Sequence, residues 1–98
     1  MNNPPVFTND PNIINVTFSY KFNNRNPQNV LVSGSFDEWK EKHSLTYNPT
    51  MGKWTCTLKL KKGKYFYKYI IDGNWEINPN EPSVRESNGI INNVINVC

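Results

Sequence analysis

"KYFYKYIIDGNWEIN", Lys64 to Asn78, reads as a strand, a tight turn and a short return strand. Its odd positions Tyr65, Tyr67, Tyr69 and Ile71 form an unbroken apolar set, and a period of two is the signature of an extended chain with one buried face. Phe66, Lys68 and Ile70 then face outward. Asp72-Gly73 is a hairpin signal, because glycine supplies positive φ without steric cost and aspartate tolerates the left-handed region. A loop of Asp72-Gly73 sets Trp75 opposite Ile70, and a loop of Gly73-Asn74 sets it opposite Asp72. Directly paired residues project to the same face, so either register turns Trp75 outward, beside Lys68. Only a loop with an odd number of residues would turn it inward. Glu76 is then aimed at the core, so the return strand must be short, and Pro79 agrees with an early end. Strand parity leaves two roles open for Trp75: a minor cluster over Phe66 or Ile70, or one wall of a binding surface.

Outward from this hairpin the chain keeps the same period. In "IINVTFSYKF" Ile14, Val16, Phe18, Tyr20 and Phe22 share one face, and Asn15, Thr17, Ser19 and Lys21 the other. "NNRNPQN" is a turn cluster, "VLVSGSF" a second strand that opens into "DEWKEKHSL". "KWTCTLKL" places Trp54, Cys56, Leu58 and Leu60 inward, and "INNVINV" closes the domain. No window has the i, i+3, i+4 apolar spacing of an amphipathic helix, and no repeat is present. Six or seven short strands separated by Gly, Pro and Asn imply an all-β fold, an antiparallel β-sandwich, with a small closed barrel as the alternative.

Ninety-eight residues make one domain, here taken as a β-sandwich over 13–98 preceded by a flexible Pro- and Asn-rich arm over 1–12. Three Trp, five Tyr and five Phe suit a pleated core. The net charge of +3 is modest, and the cluster Lys59, Lys61, Lys62 and Lys64 reads as a solvated edge that discourages strand-to-strand association. Nucleic acid is therefore not an expected partner. "MNNPPVFTNDPN" lacks a basic n-region and an apolar h-region, so neither a signal peptide nor a membrane span is expected there. Cys56 and Cys98 form no C-x-x-C and lie near no histidine cluster, which favours a reducing, cytoplasmic setting and no zinc site.

The ordered segments "VLVSGSFDEWKEKHSL" and "GKYFYKYIIDGNWEINPNEPSVRESNGIINNVINV" resemble the glycogen-binding domain of AMP-activated protein kinase β subunits, in carbohydrate-binding module family 48. The resemblance runs from about Val30 to Val97 and rests on G-S-F-x-x-W, a Y-K strand, D-G-x-W, N-P-x-x-P and a closing N-N strand in that order. It implies an immunoglobulin-like β-sandwich that binds α-1,4-linked glucans without catalysis, with a protein kinase catalytic subunit as a second partner. Carried over by position, Trp39 and Trp75 match the tryptophans that stack on glucose, and Lys68 and Asn92 match side chains that hydrogen-bond its hydroxyls. Asn88 and Ile90 stand where those relatives carry a leucine and a threonine at the edge of the site. They are kept as peripheral carbohydrate contacts, and the departure implies a different affinity or preferred chain length.

The chemistry is sound independently of the family. The C–H face of a glucose ring is apolar and packs on an indole, while its hydroxyl rim needs an ammonium group and a carboxamide. An enzyme is not expected: His43 is the single histidine and reads as a solvated loop residue. Asp37, Glu38 and Glu41 read as solvated loop acids with no carboxylate group set opposite them. No cofactor is expected, since no phosphate-cradling glycine loop or metal-ligand pattern occurs. The competing function is a protein-docking module of a kinase β-type regulatory subunit with a weakened glycan site.

Overall fold

Alternation of apolar and polar residues builds the long strands, and with four shorter ones the described residues form nine strands in two antiparallel sheets. The computed structural model describes residues 10–98. In chain order the strands are β1 (Ile13–Tyr20), β2 (Val30–Gly34), β3 (His43–Ser44), β4 (Thr46–Asn48), β5 (Lys53–Lys61), β6 (Gly63–Ile71), β7 (Asn74–Glu76), β8 (Ser83–Arg85) and β9 (Ile91–Val97). One sheet has three strands in the order β1-β5-β4; the other has six, in the order β3-β2-β6-β9-β8, with β7 also paired to β6. The fold is the all-β sandwich expected from the sequence, with more strands because β3, β4, β7 and β8 are only two or three residues long. Such short pairings carry no alternation that a sequence window can register.

The core follows the assigned faces. Val16, Phe18 and Tyr20 of β1 meet Tyr67, Tyr69 and Ile71 of β6, together with Val30, Val32, Leu45, Leu60 and Val97. Ile14, Phe22, Trp54, Cys56, Leu58 and Tyr65 pack against this cluster. Phe18 meets Tyr67 edge-on at 4.9 Å and Tyr20 meets Tyr69 at 5.1 Å, the arrangement that sets a ring's positive edge on its neighbour's negative face.

The expected flexible arm begins outside the described residues. Of its remainder, Asp10 to Asn12 form a turn in which Ile13 N–H donates to the Asp10 carbonyl at 3.0 Å. Lys62 N–H donates to the Asn12 carbonyl at 2.8 Å, which ties this turn to the end of β5.

The loop between β7 and β8 is held by buried polar groups. Asn93 of β9 is 0% exposed: its Oδ1 accepts from Asn78 N–H at 2.7 Å, and its Nδ2 donates to the carbonyls of Asn78 at 2.9 Å and Pro82 at 3.1 Å. Asn78 Nδ2 reaches the Ser19 carbonyl at 3.0 Å, and the Tyr69 hydroxyl donates to Glu81 Oε1 at 2.7 Å. Burial pushes the Glu81 carboxyl above its ordinary value. Burial, with that carboxylate alongside, pushes the Tyr67 and Tyr69 phenols far up, so both stay protonated.

Candidate carbohydrate-binding face

The outer face of the six-stranded sheet is defined by β6. Its register with β7 pairs Ile70 with Trp75, so the two-residue loop is Asp72-Gly73. Asp72 and Gly73 have φ of 48° and 85°, and a two-residue turn with positive φ at both positions matches the twist of the flanking strands. Asp72 Oδ1 also accepts from the N–H groups of Gln28 and Asn29, both at 2.9 Å, which locks the tip to the segment before β2. Trp75 therefore faces outward and is 49% exposed.

Trp39 reaches the same face by a different route. After β2 the chain makes a single 3-10 turn, Ser35–Asp37, and then two non-glycine residues with left-handed φ, Glu38 at 59° and Trp39 at 62°. Trp39 N–H donates to the Gly34 carbonyl at 2.9 Å, closing the reversal. Phe66 N–H donates to Ser35 Oγ at 2.9 Å, which fastens the turn to β6. Gly34 allows this approach: a Cβ there would lie 2.3 Å from the Phe36 ring and 2.8 Å from the Phe66 carbonyl oxygen. Trp39 is 38% exposed, its ring centroid is 6.4 Å from that of Trp75, and the rings are inclined at 53°. Two indoles far apart in sequence thus form an angled pair.

Lys68 lies on this face between Phe66 and Ile70 and pairs with Ser33 of β2. Asn92 pairs with Val84 of β8 and shares its face with Val94, which pairs with Phe66. All four expected residues are on one side of one sheet. Asn88 and Ile90 lie in the β8–β9 turn, where Ile90 N–H donates to Asn88 Oδ1 at 3.0 Å; Ile90 is exposed. Asn88 thus has a local turn-forming role.

Three features of the face escaped the sequence. Lys42 Nζ sits 5.8 Å from the centre of the Trp75 ring, a cation over an aromatic face. Nothing in "KEKH" signals this, because it depends on the reversal at Glu38 and Trp39. Ser33 is fully buried, and its Oγ has no hydrogen-bond partner, directly opposite Lys68. Ile70 faces outward by parity but is only 4% exposed, flanked by Trp75 and by Leu31 of β2. The two roles left open for Trp75 are therefore compatible, since one ring can shelter Ile70 and still present half its surface.

The expectation of a solvated His43 and a solvated Asp37 does not hold. His43 is in β3, paired with Val32, and its ring lies 5.8 Å from that of Phe36. His43 Nε2 is 3.1 Å from Asp37 Oδ2, and both side chains are about three-quarters covered, at 28% and 26% exposure. Asp37 Oδ1 is buried without a partner. Glu38 and Glu41 are exposed, as expected.

Comparison with known proteins gives the family of the chain. A family profile described as the glycogen recognition site of AMP-activated protein kinase matches residues 14–98. The chain is 38% identical over 68 residues to the human 5'-AMP-activated protein kinase subunit beta-2, covering 69% of this chain and 24% of that protein. It is 35% identical over 68 residues to subunit beta-1 from Sus scrofa, covering 69% of this chain and 53% of that one. It is also 38% identical over 61 residues to Protein PTST, chloroplastic, of Arabidopsis thaliana, covering 60% of this chain and 22% of that protein. The chain spans from about a fifth to about half the length of these relatives. With the family profile matching all but the first thirteen residues, the chain belongs to the family of the glycogen recognition site of AMP-activated protein kinase, a carbohydrate-binding module.

Proposed function

We propose that the outer face of the six-stranded sheet binds α-1,4-linked glucans without catalysis, with Trp39 and Trp75 as stacking walls and Lys68 and Asn92 as hydroxyl partners. The observation that carries this reading is the pairing of two exposed indoles at 6.4 Å on the face that also holds Lys68 and Asn92. An angled pair of flat apolar walls suits a curved chain of sugar rings better than a planar ligand. Trp75 at 49% exposure offers roughly 100 Å² of indole, and covering that area contributes about 2.5 kcal/mol before costs. Association entropy offsets much of the total, so dissociation constants fall between about micromolar and about millimolar.

Trp39→Ala with Trp75→Ala abolishes co-sedimentation with glycogen while circular dichroism stays that of the wild type. Trp75→Ala alone raises the Kd for maltoheptaose roughly 30- to 70-fold. Unchanged glucan binding by the folded double variant removes these two residues from the site. The names of the relatives, subunits of a protein kinase, support a second role in docking to a kinase catalytic subunit. A wild-type chain that binds a kinase catalytic subunit and no glucan makes docking the principal role.

A further inference from the structure

The inner face of the three-stranded sheet ends in a row of aromatic rings whose cover runs out. Tyr20 pairs with Trp54 and Trp54 with Tyr47, so these three rings share one face across β1, β5 and β4. Tyr20 is buried and stacks on Phe22 at 4.3 Å with the rings nearly parallel; Trp54 is half-buried; Tyr47 is 54% exposed. Phe22, Trp54 and Tyr47 line a cleft of about 420 Å³, completed by Arg25, Asn26, Pro27 and Gly52. That volume is in the range of small-ligand clefts.

The polar side of the cleft selects the ligand. Arg25 donates from both terminal nitrogens to Glu76, at 3.1 and 3.0 Å, and its guanidinium lies 5.3 Å from the centre of the Phe22 ring. Glu76 offsets the charge of Arg25 while holding the guanidinium in place. With one face of Phe22 on Tyr20 and the other under Arg25, what remains for a ligand is the Trp54 and Tyr47 rings, the edge of Phe22, N–H groups left over on Arg25 and the carboxamide of Asn26, with little net charge. Apolar faces rimmed by donors and acceptors fit a neutral, hydroxylated ring, and give a phosphate no uncompensated cation.

We propose that this cleft is a second sugar subsite, taking one or more neutral pyranose rings of a glucan. The proposal rests on the glucan reading given above and adds a separate place of contact. Trp75 and Glu76 are consecutive residues of β7 and face opposite sides, so one short strand supports both places. Two weak subsites on a polymeric ligand raise its retention without a tight contact at either.

Trp39→Ala with Trp75→Ala leaves Trp54 as the only tryptophan, a direct reporter of the cleft. Titration of this double variant with maltoheptaose produces a saturable change in Trp54 emission over the millimolar range. Adding Tyr47→Ala, an exposed substitution on an edge strand, raises the midpoint about tenfold. A Trp54 signal that shows no saturation, or that is indifferent to Tyr47→Ala, overturns the subsite. Glucose 6-phosphate binding more than about tenfold tighter than glucose overturns the neutral-ligand assignment. Glycogen co-sedimentation separates the two claims. Loss in the Trp39/Trp75 variant with a silent Trp54 removes the cleft and keeps the outer face. Loss in Tyr47→Ala with full binding in the Trp39/Trp75 variant keeps the cleft and removes the outer face.

Discussion

Replacing Asn93 by aspartate keeps the side chain's shape and reverses one of its hydrogen-bonding roles. In the native fold Asn93 Nδ2 donates to the carbonyls of Asn78 at 2.9 Å and Pro82 at 3.1 Å, with Glu81 at 3.4 Å. An aspartate oxygen there faces acceptors alone. Two well-formed hydrogen bonds, worth about 1 kcal/mol each, are lost. The Asn78 and Pro82 carbonyls keep the N–H groups of Glu81 at 3.2 Å and Val94 at 2.9 Å, but the new oxygen is itself buried without a donor at a position 0% exposed, a further cost of about 1 to 3 kcal/mol. An ionised carboxylate in that position adds a desolvation cost, so Asn93→Asp loses roughly 4 kcal/mol at neutral pH, a large share of the stability of a small domain. Burial raises the carboxyl's folded pKa above its unfolded value, so the fold binds the proton more tightly. Stability relative to wild type therefore recovers as pH falls, when the protonated acid again donates one hydrogen bond. Urea unfolding at about pH 7.5 and about pH 4.5 reads both effects. Asn92→Asp, one residue away on the half-exposed outer face, shifts stability by under about 0.5 kcal/mol. An Asn93→Asp protein within about 1 kcal/mol of wild type at neutral pH, or one that weakens further on acidification relative to wild type, refutes the account of this loop.

Gly34→Ala forces a Cβ to 2.8 Å from the Phe66 carbonyl oxygen, which is backbone and cannot swing away. It costs about 2 to 3 kcal/mol in a thermal or urea melt and weakens glucan binding by displacing the turn that carries Trp39. Glu81→Gln removes a carboxyl whose folded pKa is raised by burial. In the wild type this group favours folding most when protonated in both states, and that contribution is lost as pH rises through the raised folded value. The variant is therefore stabilised relative to wild type above that range and not below it, and paired melts across the acid limb measure the difference.

The alternation of Tyr65, Tyr67, Tyr69 and Ile71 was legible because side chains on a strand alternate faces whatever the strand packs against. The same parity placed Trp75 outside, and the Asp72-Gly73 turn kept the register even. Ile70 shows the limit of that logic. Parity states which side a residue takes, and exposure depends on what neighbouring strands bring over it, here Leu31 and Trp75. His43 and Asp37 depart from the expected solvated loop for a related reason: a two-residue strand has too little alternation to reveal its pairing, yet it is enough to carry the imidazole against Phe36.

Of the two asparagines in "INNV", local pattern makes them equivalent apart from their opposite faces. Family likeness selected Asn92 for the ligand; the structure shows why its neighbour is occupied, with Asn93 turned inward to hold the β7–β8 loop. Strand faces, the tight turn and the outward course of Trp75 are local properties readable along the chain, since they follow from backbone geometry within a few residues. The 6.4 Å approach of Trp39 to Trp75, the placing of Lys42 over that ring and the row of Tyr20, Trp54 and Tyr47 ending in a cleft come from the packed fold. Those contacts join residues distant in the chain, and their distances arise only from sheet pairing and from the two consecutive left-handed residues at Glu38 and Trp39.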